Sequence, residues 1–181
     1  MRTFVAIFPP LEIRRKALEK ALRPPLGQQV RWIAPRNAHL TLKFLGDVQE
    51  EVLGDLRVIL EETCDRHATF GIELKELGAF PSARRSRIIW AGVGVGSEEL
   101  RSLAADLDKA LVPLGFEREE RPYTPHLTLG RVRGRPADLS PLSDTMDLNF
   151  RVRYVELVES RLTERGAIYQ TIEAFALRRR S

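Results

Sequence analysis

Apolar residues recur along this chain with two periods, and the two take turns. Thr3-Phe4-Val5-Ala6-Ile7-Phe8 is β-branched and aromatic and stops at Pro9-Pro10, which predicts a buried strand. Leu11, Ile13, Ala17, Leu18, Ala21 and Leu22 follow at mostly helical spacing, with Pro10 at the start and Pro24-Pro25 at the end. Val30 to Ile33 reads as a short extended piece, and Ala34 to Asn37 as a turn. From His39 to Leu45 the alternation is strict. Leu40, Leu42 and Phe44 point one way, and His39, Thr41 and Lys43 the other. Glu50 to Arg66 is amphipathic, with Val52, Leu53, Leu56, Ile59, Leu60 and Thr63 on one side.

Phe70 to Leu77 alternates again and predicts a strand. Gly78 to Ser82 reads as a loop into the basic run Arg84-Arg85-Ser86-Arg87, and Ile88 to Val93 as a further strand. Ser97-Glu98-Glu99 opens a helix with acidic residues in its first turn, and Gly115 stops it. A second alternating stretch surrounds His126. Arg133 to Asp147 reads as loop plus a short helical turn. Phe150 to Ser160 and Ala167 to Leu177 are strands joined by a hairpin, and Arg178 to Arg180 a solvated tail. Three helices among about eight strands make an α+β protein with mixed or antiparallel sheets. The order strand, helix, His stretch occurs twice. The whole chain, 1–181, is therefore expected to be one domain of two similar, interleaved lobes with a groove between them and helices outside.

Composition narrows the partners. The chain has 29 Lys and Arg against 25 Asp and Glu, a net charge of +4, which favours an anionic partner without requiring one. The single cysteine, Cys64, excludes an internal disulfide and reads as a small core residue. The apolar run at Phe4 to Pro9 is too short for a secretory signal and no stretch has the length of a membrane span, so the cytoplasm is the expected compartment.

The chemistry concentrates in one tetrapeptide that occurs twice, His39-Leu40-Thr41-Leu42 and His126-Leu127-Thr128-Leu129, in a chain with three histidines. His and Thr at i and i+2 of a strand emerge on one face, about 7 Å apart. The leucines between them anchor the strand. One histidine on a strand is more often structural than catalytic; two of three in the same tetrapeptide, on two lobes, point to acid–base work. Imidazole titrates near neutrality, so one ring can accept a proton while the other donates one, and threonine hydroxyls with nearby arginines can hold phosphate oxygens. No Cys/His cluster supplies a zinc site, so no metal and no cofactor is expected. His67, in a polar run at a helix end, reads as a capping or surface residue.

The paired motifs and their flanks resemble the 2H phosphoesterases, and more narrowly the RNA 2′,3′-cyclic phosphodiesterases of the 2′-5′ RNA ligase family. The resemblance rests on Arg31-Trp32-Ile33, on Asn37 to Gly46, on Gly78 to Pro81 with Arg87 to Trp90, and on Pro125 to Arg131, and it extends over essentially the whole chain. It implies a bilobal fold of two sheets with pseudo-twofold symmetry and a basic cleft. It also implies metal-independent hydrolysis of an RNA terminal 2′,3′-cyclic phosphate to a 2′-phosphomonoester. RNA ends, tRNA fragments or nucleotides are the expected partners, and nothing in the sequence calls for more than a monomer. His39 and His126 match the catalytic pair and Thr41 and Thr128 the phosphate-contacting hydroxyls. Arg131 and Arg87 match recurrent arginines, although strict alternation puts Arg131 off the His126 face. His126 as base and His39 as acid is the preferred assignment; the symmetry of the motifs leaves the reverse open. Phe80 and Tyr123 are candidates for base stacking, while alternation turns Phe44 inward. ATP-independent 2′-5′ ligation, the chemical reverse, and a non-catalytic RNA- or nucleotide-binding module are the competing readings.

Overall fold

The computed structural model describes residues 1–22, 29–140, 145–164 and 166–179. Nine strands and three α-helices are seen among them: β1 (Arg2–Ile7), α1 (Leu11–Ala21), β2 (Val30–Trp32), β3 (Leu40–Asp47), α2 (Leu53–Arg66), β4 (Phe70–Phe80), β5 (Ile88–Val93), α3 (Ser97–Ala110), β6 (His126–Val132), β7 (Thr145–Val152), β8 (Tyr154–Thr163) and β9 (Gly166–Ala176). They form two antiparallel sheets, the first in the order β3-β1-β8-β9 and the second β2-β6-β5-β4-β7.

The α+β expectation and the antiparallel sheets hold, and four local readings change. Gly78 to Phe80 belongs to β4, because Gly78, Ala79 and Phe80 pair with Trp90, Ile89 and Ile88. The single strand read from Phe150 to Ser160 is two: Arg153 breaks the run, and the chain passes there from the second sheet to the first. Thr145 to Asp147, read as loop, already pairs as β7; the helical turn expected before it falls partly in residues 141–144, outside the described ones. The C-terminal tail is tied down by its backbone at Arg178, since the Thr69 amide donates to the Arg178 carbonyl and the Arg178 amide to the His67 carbonyl, while Arg178 and Arg179 are exposed as expected and Arg180 lies outside the described residues.

The two sheets share one core. Val5, Ile7, Leu40 and Leu42 from the first pack in the same cluster as Ile72, Leu74, Ile89 and Leu127 from the second, with Leu100, Leu103 and Leu107 of α3. Full burial of each such side chain is worth roughly 2 kcal/mol. Two of the three helices are exchanged between the sheets, while α2 follows β3 and packs on β9 of the same sheet. α1 follows a strand of the first sheet yet packs on β6 and β7 of the second, and α3 follows a strand of the second yet packs on β3 of the first. Cys64 is fully buried on α2, and burial pushes its thiol up to about 12, which suits a packing role. His67 caps α2 as expected, its amide donating to the Cys64 carbonyl, and its ring is half-buried, with Nε2 2.8 Å from Asp106 Oδ2 of α3. The described residues contain no helix long and apolar enough to cross a membrane.

Candidate active site

The two motif strands, β3 and β6, come together at the seam between the sheets. Each carries its motif in the same way. Thr41 pairs with Ala6 and Lys43 with Val5, so Leu42 is an extra residue, a β-bulge. Thr128 pairs with Trp90 and Gly130 with Ile89, so Leu129 is the extra residue of an identical bulge. One inserted residue re-phases everything after it. Lys43 therefore turns into the core, 4% exposed, and Phe44 turns out, 66% exposed, opposite Phe4. This overturns the inward orientation expected for Phe44 and the outward one for Lys43. In the second copy the bulge brings Arg131 back onto the face of His126 and Thr128, where strict alternation denied it. Phe44 and Arg131 thus occupy equivalent positions in the two halves.

Lys43, once buried, needs partners. Its Nζ donates to Asp108 Oδ1 at 2.7 Å, to the Glu117 carbonyl at 2.6 Å and to Glu119 Oε1 at 3.3 Å. In the second copy Gly130 stands at this position. A Cβ there would come within 2.6 Å of Val30 Cγ1 and 3.0 Å of the Trp32 ring, so β2 can lie this close only over a glycine.

The two imidazoles are held alike. His39 Nδ1 is 2.7 Å from the Asn37 carbonyl, and His126 Nδ1 is 2.7 Å from the Thr124 carbonyl. A carbonyl only accepts, so in both rings Nδ1 carries the proton and donates it, leaving Nε2 open for proton transfer. Aromatic rings fix the orientation. His39 stacks on Phe4 at 4.8 Å between centroids and meets Tyr169 edge-on at 5.2 Å, with Phe8 also at 5.2 Å. His126 meets Phe80 edge-on at 5.1 Å, beside Trp90 at 6.3 Å. The Trp90 ring lies over Gly78, where a Cβ would come within 2.2 Å of it.

Burial in these seats depresses both rings. Burial, opposed by the Asn37 carbonyl and reinforced by the charges of Arg14 and His126, lowers His39 to about 4. Burial, opposed by the Thr124 carbonyl, lowers His126 as well. Both are neutral at pH 7 when the groove holds no anion. A stability effect follows. Between the ordinary value of 6.5 and about 4 the unfolded chain binds a proton at His39 that the folded chain does not, so stability rises with pH across that window. On acidification from pH 7 to pH 4, His39 is expected to remove about 3 kcal/mol, a loss that His39→Phe avoids. Urea unfolding of both proteins at the two pH values measures the difference; parallel pH dependences would contradict it.

Of the other residues singled out from the sequence, Phe80 stands beside His126, whereas Arg87 is exposed and lies ahead of β5, outside the paired row. Tyr123 packs its ring against the core with its hydroxyl buried, and burial raises its pKa. Sequence reasoning missed Arg31. It pairs with Arg131, which pairs with Ile88, which pairs with Phe80, so the four form one row across the groove face. The alternation of Val30, Arg31 and Trp32 holds that signal, but not the identity of the neighbouring strand. Arg14 was missed too. Its guanidinium donates to the carbonyls of Pro35 and Arg36 and lies 5.5 Å from the centroid of Phe8, bracing the turn ahead of His39. Asn37 Nδ2 ties the same turn to the Ala167 carbonyl in the β8–β9 hairpin.

Two antiparallel sheets that meet at a pair of His-x-Thr strands define the fold of the 2H phosphoesterases, and solved structures share it. A protein of Thermus thermophilus matches with a TM-score of 0.88 at 28% identity over 100% of both chains. Escherichia coli LigT complexed with 3′-AMP matches with a TM-score of 0.83 at 28% identity over 97% of both. Residues 9–164 match the family model described as the 2′-5′ RNA ligase superfamily, and the chain belongs to that family. Relatives named RNA 2′,3′-cyclic phosphodiesterase include one from Aeropyrum pernix, 36% identical over 81% of this chain and 85% of its own length. Another, from Methanothermobacter thermautotrophicus, is 38% identical over 82% and 83%.

Proposed function

We propose that this protein hydrolyses the 2′,3′-cyclic phosphate at an RNA 3′ end to a 2′-phosphomonoester, with His39 and His126 as the acid–base pair. The observation that carries the reading is the matched tethering of the two rings, each with Nδ1 spent on a backbone carbonyl and Nε2 left open. One Nε2 takes a proton from water as its oxygen attacks phosphorus. The P–O3′ bond breaks, and the other Nε2–H delivers its proton to O3′. That second ring must enter the reaction protonated, although burial favours its neutral form. The negative charge of the bound phosphate supplies the bias, because an anion beside an imidazole raises its pKa. Thr41 and Thr128, on the same faces as their histidines, hold the non-bridging oxygens, together with Arg131. Phe80 offers a ring for the terminal base, whereas Tyr123, whose hydroxyl is buried against the core, and Arg87, outside the row of Arg31, Arg131 and Phe80, are left out of the set.

In this reading 1–181 is one domain whose two lobes each supply half of the acid–base pair, and a monomer suffices. Neither metal nor cofactor is needed. RNA ends as substrate make the cytoplasm the natural compartment. Purified protein is expected to open a 2′,3′-cyclic phosphate RNA end at full rate in excess EDTA, followed by the appearance of the 2′-phosphomonoester. Activity that requires added metal would refute the mechanism. The family's name favours testing the reverse as well: RNA halves with 2′,3′-cyclic phosphate and 5′-hydroxyl ends would yield a 2′-5′ link if a hydroxyl replaces water.

A further inference from the structure

Where the chain crosses from β7 to β8, a cavity of about 410 Å³ opens between Thr69, Arg151, Arg153, Tyr154 and Arg179. It shares none of these residues with the histidine groove. Among the described residues no carboxylate lines it. Three guanidinium groups around one cavity repel each other, and an anion seated between them relieves that repulsion. Arg151 is already oriented, since its Nη2 donates to Thr69 Oγ1 at 2.9 Å and to the Thr69 carbonyl at 3.4 Å. Tyr154 is 56% exposed at the rim and presents an aromatic face beside the cations.

The place of this cavity in the sheet matters as much as its charge. Ala6 pairs with Thr41 on one side and with Glu156 on the other. Tyr154 is two residues along from Glu156, on the same face by alternation, so two strand spacings, roughly 10 Å, separate the Tyr154 side from the first motif strand. A mononucleotide at the histidines would leave the cavity empty, whereas a strand of a few nucleotides would be long enough for that separation.

We propose that Arg151, Arg153, Arg179 and Tyr154 form a second anion-binding site that holds the phosphodiester backbone of the RNA strand, with Tyr154 stacking on a base, while the 3′ end lies at His39 and His126. The site rests on the proposal that the groove acts on RNA ends. Bidentate guanidinium–phosphate contacts and a base on an aromatic ring are the ordinary means of gripping single-stranded RNA without reading its sequence.

The test is the double variant Arg153→Glu/Arg179→Glu, with Arg153→Gln/Arg179→Gln as the milder pair should charge reversal perturb folding. KM for an oligonucleotide RNA ending in 2′,3′-cyclic phosphate is expected to rise about tenfold, with kcat/KM for 2′,3′-cyclic AMP unchanged. The dependence of log Kd on log salt for the same RNA with a 3′-hydroxyl end, measured by fluorescence anisotropy, is expected to flatten by about 0.7 for each phosphate that the variant no longer neutralises. Anisotropy needs no turnover, so it still judges the site if wild-type protein proves inactive on every cyclic phosphate and the activity reading fails. Equal KM and equal salt slopes for variant and wild type overturn the proposal. So does a variant that loses inorganic phosphate binding by calorimetry yet keeps its RNA affinity, because the site would then serve a free anion.

Discussion

Replacing either His39 or His126 by alanine is expected to lower kcat for opening the cyclic phosphate by about 10³-fold, with the double variant little worse than either single one. The non-additivity is the sharper half of the expectation. If one ring takes the proton from water while the other delivers one to O3′, losing either disables the same transition state, and losing the second removes little more. Two rings that each contributed independently would give multiplying losses. Steady-state kinetics on an RNA with a 2′,3′-cyclic phosphate end, with circular dichroism to establish that each variant is folded, measure the outcome. Full activity in either single variant would end the two-histidine scheme.

The second large effect concerns a residue with no part in the chemistry. Lys43→Met is expected to destabilise the fold by about 3 kcal/mol, because it leaves the Asp108 carboxylate inside without its main cation. Burial alone would raise Asp108, but hydrogen bonds from Lys43, the Glu119 amide and Arg118 outweigh it and hold the carboxyl below its ordinary 3.8. A carboxyl lowered on folding contributes stability that is present above the ordinary value and is lost as pH falls through the folded one. The wild-type advantage over Lys43→Met should therefore be full at neutral pH and shrink below about pH 3.8. Urea denaturation across that range follows it. A variant as stable as wild type at pH 7 would mean that Arg118 and the Glu119 amide suffice for Asp108.

Lys43 also marks where the sequence stops being legible. Periodicity located the three helices and most strands, because an apolar stripe of period 3.6 or 2 is what packing against one core demands. The repeated tetrapeptide marked the candidate site, because few other arrangements place two imidazoles and two hydroxyls at one seam. A bulge leaves no such mark. Leu42 and Leu129 are ordinary buried leucines, and only the partner strand reveals that each is supernumerary. Strict alternation therefore puts Phe44, Lys43 and Arg131 on the wrong faces. The seats of the histidines were hidden for a related reason. Phe4, Phe8, Trp90 and Tyr169 look like core residues in sequence, and pairing across strands decides which aromatic rings face the groove. Arg153 shows a third limit: one exposed residue between Val152 and Tyr154 marks a change of sheet, while the pattern around it still reads as one strand.

The exchanged helices bear on how the groove can move. With α1 packed behind the second sheet and α3 behind the first, rocking the sheets apart would drag each helix away from the strand that leads into it. Opening the cleft as a hinge would therefore disrupt core packing in both halves at once. The spacing of the two imidazoles becomes a property of the whole fold, fixed before any ligand arrives. Selectivity must then come from what fits a rigid gap, and turnover need not wait for a lid.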